Sequence, residues 1–221
     1  MAAPTRSGRP SPFRRVVASV GMVLVIAYIC VDVVLQLLPP HYSPISDAES
    51  NLAVGPFGWV MNLNFLSRAA MTLCVLVAVS GIRPATTARR LGSVMLGMAG
   101  LCSAALVFFP TDVNGPGEYG VVPTTTIGTV HVIFATVGFL LALTGMVVLA
   151  FWMRGAPGLL GVRRAANVFV WLAAAGLVVL ALSIAFMPTV FGLTERICLA
   201  GILGWAFVVC LGARRGQSLV E

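Results

Sequence analysis

The sequence predicts an all-α integral membrane protein: a bundle of six transmembrane helices with both chain ends on the cytoplasmic side. Three observations predict it. Of 221 residues, 59% are hydrophobic and only 10% are charged. A soluble domain carries about 25% charged residues, so much of this apolar surface has to face lipid. Six apolar runs are each long enough for a hydrocarbon layer about 30 Å thick, which takes roughly 20 helical residues. Finally, arginines collect in every second connecting segment, which is the pattern of a chain crossing a membrane repeatedly.

The runs are 16–38, 58–82, 91–109, 127–153, 165–187 and 196–213, forming one transmembrane domain over 16–213. The first is too long for the core of a cleaved signal peptide and carries Asp32. A basic tail, 1–15, is rich in Pro, Ser and Gly and is expected to be disordered; 214–221 form a second short tail. Arginine placement orients the bundle. Arg6, Arg9, Arg14 and Arg15 precede the first helix, and Arg83, Arg89 and Arg90 separate the second and third. Arg154, Arg163 and Arg164 separate the fourth and fifth, and Arg214 and Arg215 follow the sixth. The positive-inside rule makes this side cytoplasmic. All 14 basic residues are Arg, which points to a GC-rich bacterial source and so to the plasma membrane.

The net charge of +7 is therefore a topology signal. A nucleic-acid site needs a basic patch on a folded polar surface, and none is expected here. Cys30, Cys74, Cys102, Cys198 and Cys210 all lie in apolar runs and read as small hydrophobes. No metal-ligand spacing is present, and neither a metal nor a cofactor is expected.

Two long loops lie on the outer side. In the first, Ser46-Asp47-Ala48-Glu49 fits a capping box, with Ser46 as N-cap of a short interfacial helix over 47–54 closed by Gly55-Pro56. Asp47 and Glu49 are then ordinary first-turn acids or members of a site. Trp59 follows at the depth of an aromatic belt. The second loop is turn-rich and holds Asp112 just past the third helix.

Ionisable groups within spans are costly, at roughly 2.5 to 3.5 kcal/mol for a central Arg or Asp. Asp32 lies about two turns below the outer end of the first helix. Arg68 lies about 15 Å deep in the second and snorkels outward, so Asp32–Arg68 is the expected pair. Asn64 shares the Arg68 face, four residues away. His131 sits one turn into the fourth helix, and Glu195-Arg196 open the sixth. Asp32, Arg68, Asp112, His131, Glu195 and Arg196 all fall in the outer half. If the bundle is compact, they can converge on one outward polar pocket, with Asp47, Glu49, Asn64 and Trp59 as further candidates. The structural alternative is that such groups only fix helix register and glue helices together.

Several of these stretches together carry a resemblance. The run from Ser46 through Asn51 and Gly55-Pro56 to Trp59, then Phe109-Pro110-Thr111-Asp112, His131 and Gly192-Leu193-Thr194-Glu195-Arg196 resemble, in order and spacing, the six-helix prokaryotic membrane family known as domain of unknown function 998. The resemblance spans roughly 16–213. It implies the fold and that these elements belong to one shared feature, and it implies no activity.

The function expected is that of a multi-pass membrane protein whose outward pocket binds or transports a small molecule or lipid headgroup. Whether it is an enzyme stays open. An intramembrane lipid-processing enzyme would use His131 as base and Asp112 as its orienting acid, yet there is no Gly-x-Ser-x-Gly or His-Glu-x-x-His motif. A structural subunit of a membrane complex, or a homo-oligomer, is also compatible. The lipid bilayer is the one partner the sequence itself implies.

Overall fold

In a computed structural model, described here for residues 11–39, 42–115 and 117–216, the protein is all-helical. Its helices are α1 Pro12–Gln36, α2 Gly58–Ser80, α3 Thr87–Ala105, α4 Thr126–Met153, α5 Arg163–Phe186 and α6 Phe191–Arg215. Short 3-10 turns at Glu49–Ala53, Leu106–Phe108, Pro157–Val162 and Pro188–Val190 precede or extend them. Six helical segments are long and apolar enough to cross a membrane. The protein is a multi-pass membrane protein surrounded by a lipid bilayer.

Helix ends follow local chemistry more closely than the apolar runs do. The first helix begins at Pro12 rather than at 16, because Pro suits the first helical position and the Ser11 side chain accepts the Arg14 N–H. Pro12–Arg15 are thus helix, and the disorder expected for the rest of that tail concerns residues outside the described ones. The third helix starts at Thr87, capped by Thr86, and the fourth at Thr126, capped by Thr125. The sixth starts at Phe191, five residues earlier than its apolar run, after a turn opened by Pro188. Its last turn holds Arg214 and Arg215, where cations favour the helix dipole.

Sequential helices pair as antiparallel hairpins, α1 with α2, α3 with α4 and α5 with α6. α6 also packs on α1 and α2. It is the central helix: 61% of its most apolar stretch is buried, against 22–33% for the others. Small residues let it sit so deep. A Cβ at Gly201 would overlap the Ala173 backbone, and one at Gly176 would meet the Cys198 backbone. Close backbone approach over small residues is how helices associate where lipid removes the hydrophobic drive. On α1 the buried face reads Ala18, Gly21, Val25, Tyr28, Asp32, Leu35, a helical stripe. Val16, Val20, Val23, Ile26 and Ile29 point outward.

The two ends of the bundle differ. At the arginine end the turns are tight: Arg89 Nη1 donates to the Ser80 and Ile82 carbonyls, and Trp152 Nε1 donates to the Pro84 carbonyl. At the other end the first long loop folds down onto α6. The Leu193 N–H donates to the Ile45 carbonyl at 3.0 Å. Gly192 permits the contact, since a Cβ there would overlap the Asp47 carbonyl.

Candidate functional site

The docked loop carries an acid into the bundle. Glu49 opens the 3-10 turn Glu49–Ala53 and is 3% exposed. The capping box and the longer helix over 47–54 do not form. The residue flanking the turn is Ala48, which gives no side-chain cap, and Ser46 Oγ donates to Asp47 Oδ1 instead. Asp47 holds the loop's own backbone, accepting the Ser43 N–H at 2.8 Å. Glu49 is used elsewhere. The Tyr28 hydroxyl donates to its two carboxyl oxygens at 2.9 and 2.8 Å, and Arg68 Nη1 lies 4.0 Å from Oε2. Its backbone N–H donates to Glu195 Oε2 at 2.7 Å. Burial pushes the Glu49 carboxyl up to about 8, against the pull of Arg68 and with a further push from Glu195.

Arg68 is therefore not the partner of Asp32. Asp32 pairs with Arg196, Oδ1 to Nη2 at 3.4 Å, and accepts from Gln36 Nε2 at 2.6 Å. Adjacency of two antiparallel helices does not by itself decide the pairing. The loop inserts Glu49 beside Arg68, and the first turns of α6 bring Arg196 beside Asp32. Arg196 also donates to the Tyr42 hydroxyl at 2.6 Å and to the carbonyls of Pro44, Asp47 and Gly192. Tyr42 in turn reaches the carbonyls of Asp47 and Ala48. Burial raises the Tyr42 phenol above its ordinary value. Its hydroxyl thus stays protonated and donates along the loop.

Four of the six principal candidates, Asp32, Arg68, Glu195 and Arg196, thus share one buried network with Glu49 and Asn64. Asn64 Nδ2 donates to the Tyr28 carbonyl. Tyr28, Tyr42, Gln36 and Ser103 are members that sequence reasoning missed. The signal for Tyr28 was present: it lies four residues before Asp32 on the buried stripe of α1.

Asp112 and His131 stand apart from this network. Asp112 accepts the backbone N–H groups of Thr124 and Thr125 at 2.7 and 2.8 Å and both threonine hydroxyls. The Thr125 N–H first of all holds its carboxyl below the usual carboxylate range. It is a brace for the start of α4. His131 Nδ1 meets the Phe109 carbonyl at 2.6 Å, which requires the proton on Nδ1. No Asp112–His131 dyad forms, and the expected base and orienting acid are not assembled. Trp59 is 64% exposed. His41 lies outside the described residues.

The members of the network hydrogen-bond directly to one another. Two cavities adjoin it. One is a cleft of about 460 Å³ between the two long loops, bordered by Tyr42, Asp47, Asn51, Asn114 and Glu118. The other is a cavity of about 60 Å³ within the helices, among α2, α3, α4 and α6. Apolar side chains line most of it, with Arg68 and Ser103 at one end. Arg68 Nε donates to Ser103 Oγ at 2.8 Å, and Ser103 Oγ donates to the Phe65 carbonyl. Nη1 faces Tyr28 and Glu49. Nη2 has no hydrogen-bond partner among the described residues. Three sealed side-chain atoms are left without a partner among the described residues: His131 Nε2, Arg196 Nε and Trp205 Nε1. No group of three His, Cys, Asp or Glu there is placed to hold a metal ion.

A family model described as "Protein of unknown function (DUF998)" matches residues 11–212, which take in the whole buried network and the cavity. No curated protein and no solved structure matches the chain.

Proposed function

This chain belongs to the DUF998 family of unknown function, and we propose that it binds the anionic group of an amphiphile through Arg68, inside the membrane. The observation that carries this reading is Arg68, a partly buried guanidinium at one end of an apolar cavity, whose Nη2 has no hydrogen-bond partner among the described residues. Arginine charge at this depth costs several kcal/mol unless it is compensated. Glu49 lies on one side, at 4.0 Å, but its carboxyl is held up to about 8 and is largely protonated near neutral pH, so the guanidinium charge is only partly compensated and an anion gains most on the open side.

The arginine-rich end faces the cytoplasm of a bacterial plasma membrane, by the positive-inside rule. The long loops and the buried network then lie in the outer half, so headgroups reach Arg68 from the outer leaflet. Glu49 and the docked loop close that level to water. In place of a wide outward pocket, the reading is a narrow lipid-facing one.

The test is equilibrium binding in nanodiscs of neutral lipid, comparing palmitate with its uncharged methyl ester. A charge-assisted hydrogen bond of about 1.5 to 3 kcal/mol corresponds to roughly 10- to 100-fold tighter binding of the acid. That preference disappears in the double variant Arg68→Gln/Glu49→Gln, which removes the cation together with the carboxyl beside it. Equal affinity of acid and ester for the wild type would sink the reading.

A further inference from the structure

The arginine-rich end of the bundle carries a groove that the buried network does not reach. It lies between α1 and α6, holds about 420 Å³, and is bordered by Arg15 and Arg214. Its floor is Val16, Val20, Val23 and Leu24. These positions recur every three or four residues, so they share one face of α1. That face is distinct from the one α1 turns to the core, which holds Ala18, Gly21 and Val25. The groove is therefore an apolar, outward-facing channel with two cations at its head.

These two arginines differ from others at the same end. The Arg14 guanidinium takes the place a Cβ would have at Gly81. Arg89 donates to the Ser80 and Ile82 carbonyls, and Arg154 stacks over Phe151 at 4.8 Å. Arg15 and Arg214 are exposed. The ion pairs among the described residues use Arg68 and Arg196 instead, and the first turn of α1 holds no acid. Two like charges, one from each helix, thus border one groove with no described acid beside them.

The apolar floor decides which anion fits. From Arg15 to Leu24 the groove runs about 14 Å at 1.5 Å per residue. One leaflet contributes about half of a 30 Å hydrocarbon core, so the groove has the depth of a single leaflet. A free phosphate ion uses the arginines and leaves the valines unused. A phospholipid uses both. A zwitterionic headgroup brings its own cation toward two arginines and gains less than an anionic one.

We propose that Arg15 and Arg214 hold the phosphate of an anionic phospholipid, one acyl chain of which lies in the groove between α1 and α6. The site is at the opposite end of the bundle from Arg68 and does not depend on the Arg68 reading. The bound lipid ties the start of the first helix to the end of the last and lets their two charges sit side by side.

The experiment titrates full-length protein in detergent micelles with dioleoyl phosphatidylglycerol, dioleoyl phosphatidylcholine or glycerol phosphate, and counts bound molecules by native mass spectrometry. Phosphatidylglycerol is expected to bind roughly 30-fold tighter than phosphatidylcholine, as two arginines at a membrane surface supply. Arg15→Gln/Arg214→Gln is expected to lose that preference. Arg163→Gln/Arg164→Gln removes the same charge from the same end and is expected to keep it. Val20→Trp fills the floor, leaves both arginines in place, and is expected to weaken phosphatidylglycerol about tenfold. Equal binding of the two lipids to the wild type overturns the proposal, as does equal impairment of the two arginine variants. Glycerol phosphate binding as tightly as phosphatidylglycerol, or a Val20→Trp protein with unchanged affinity, overturns the assignment of the groove to a lipid chain.

Discussion

The hydroxyl of Tyr28 is the joint of the buried network, and Tyr28→Phe removes it alone. The ring stays, with its cation–π placement 5.9 Å from Arg68. What is lost is the donor to Glu49, at 2.9 and 2.8 Å, and the weak acceptor for Arg68 Nη1 at 3.5 Å. Glu49 is then a buried carboxyl without its side-chain donor. Leaving a buried polar group without its partner costs about 1 to 3 kcal/mol, so the expected loss is about 2 kcal/mol. At 2 to 4 °C per kcal/mol for a chain of this size, Tm falls by about 4 to 8 °C. The assay is thermal unfolding in nanodiscs, with Tyr119→Phe on the exposed second loop as the control that does not shift. A cycle with Glu49→Gln adds a sharper demand: residues in contact are coupled by about 0.5 to 3 kcal/mol, so the double variant loses less than the two singles together. A Tyr28→Phe protein as stable as wild type, or strictly additive with Glu49→Gln, would refute the reasoning.

Further outcomes follow from the same geometry. Burial holds the Glu49 carboxyl at about 8 against an ordinary 4.5. The folded state therefore keeps a proton that the unfolded chain releases between those values, and stability falls as pH rises from about 4.5 to about 8. The corresponding slope in Tm against pH is expected to flatten in Glu49→Gln. Asp112 behaves oppositely: its carboxyl is held low by the Thr125 N–H, so its support for the start of α4 is lost only in acid, below its ordinary 3.8. Asp112→Asn should speed amide hydrogen exchange at Thr124 and Thr125 and leave amphiphile binding unchanged. Gly201→Ala forces a methyl into the Ala173 backbone, for a loss of about 1 to 3 kcal/mol in unfolding experiments. The same change at Gly161, where nothing lies within 4 Å of an added Cβ, should be silent.

The helices were legible because lipid imposes a simple rule: a span must be apolar and about 20 residues long. Their ends were less so, since Ser11, Thr86 and Thr125 begin helices through caps that hydropathy does not register. At the site, cost was legible and partnership was not. Asp32, Arg68, Glu195 and Arg196 were conspicuous as charges in apolar surroundings, and they do meet. Their pairing depended on a loop folding back, and the loop's own signature misled: Ser46 to Glu49 has the spacing of a capping box, but Glu49 turns inward to Tyr28. Depth alone groups Asp112 and His131 with the others. Asp112 braces α4, and His131 is tied to the Phe109 carbonyl. Tyr28 and Trp205 escaped notice because an aromatic in an apolar run reads as bulk, and only tertiary structure reveals what its polar atom lacks or binds.

On the proposed function, Arg68 holds an anion within the membrane. An experimental structure of the protein purified in native lipid tests it most directly. The predicted result is density for an anionic group about 2.7 to 3.2 Å from Arg68 Nη2, its chain running out toward lipid. An empty or water-filled cavity, or a chain whose uncharged end meets Arg68, would contradict it.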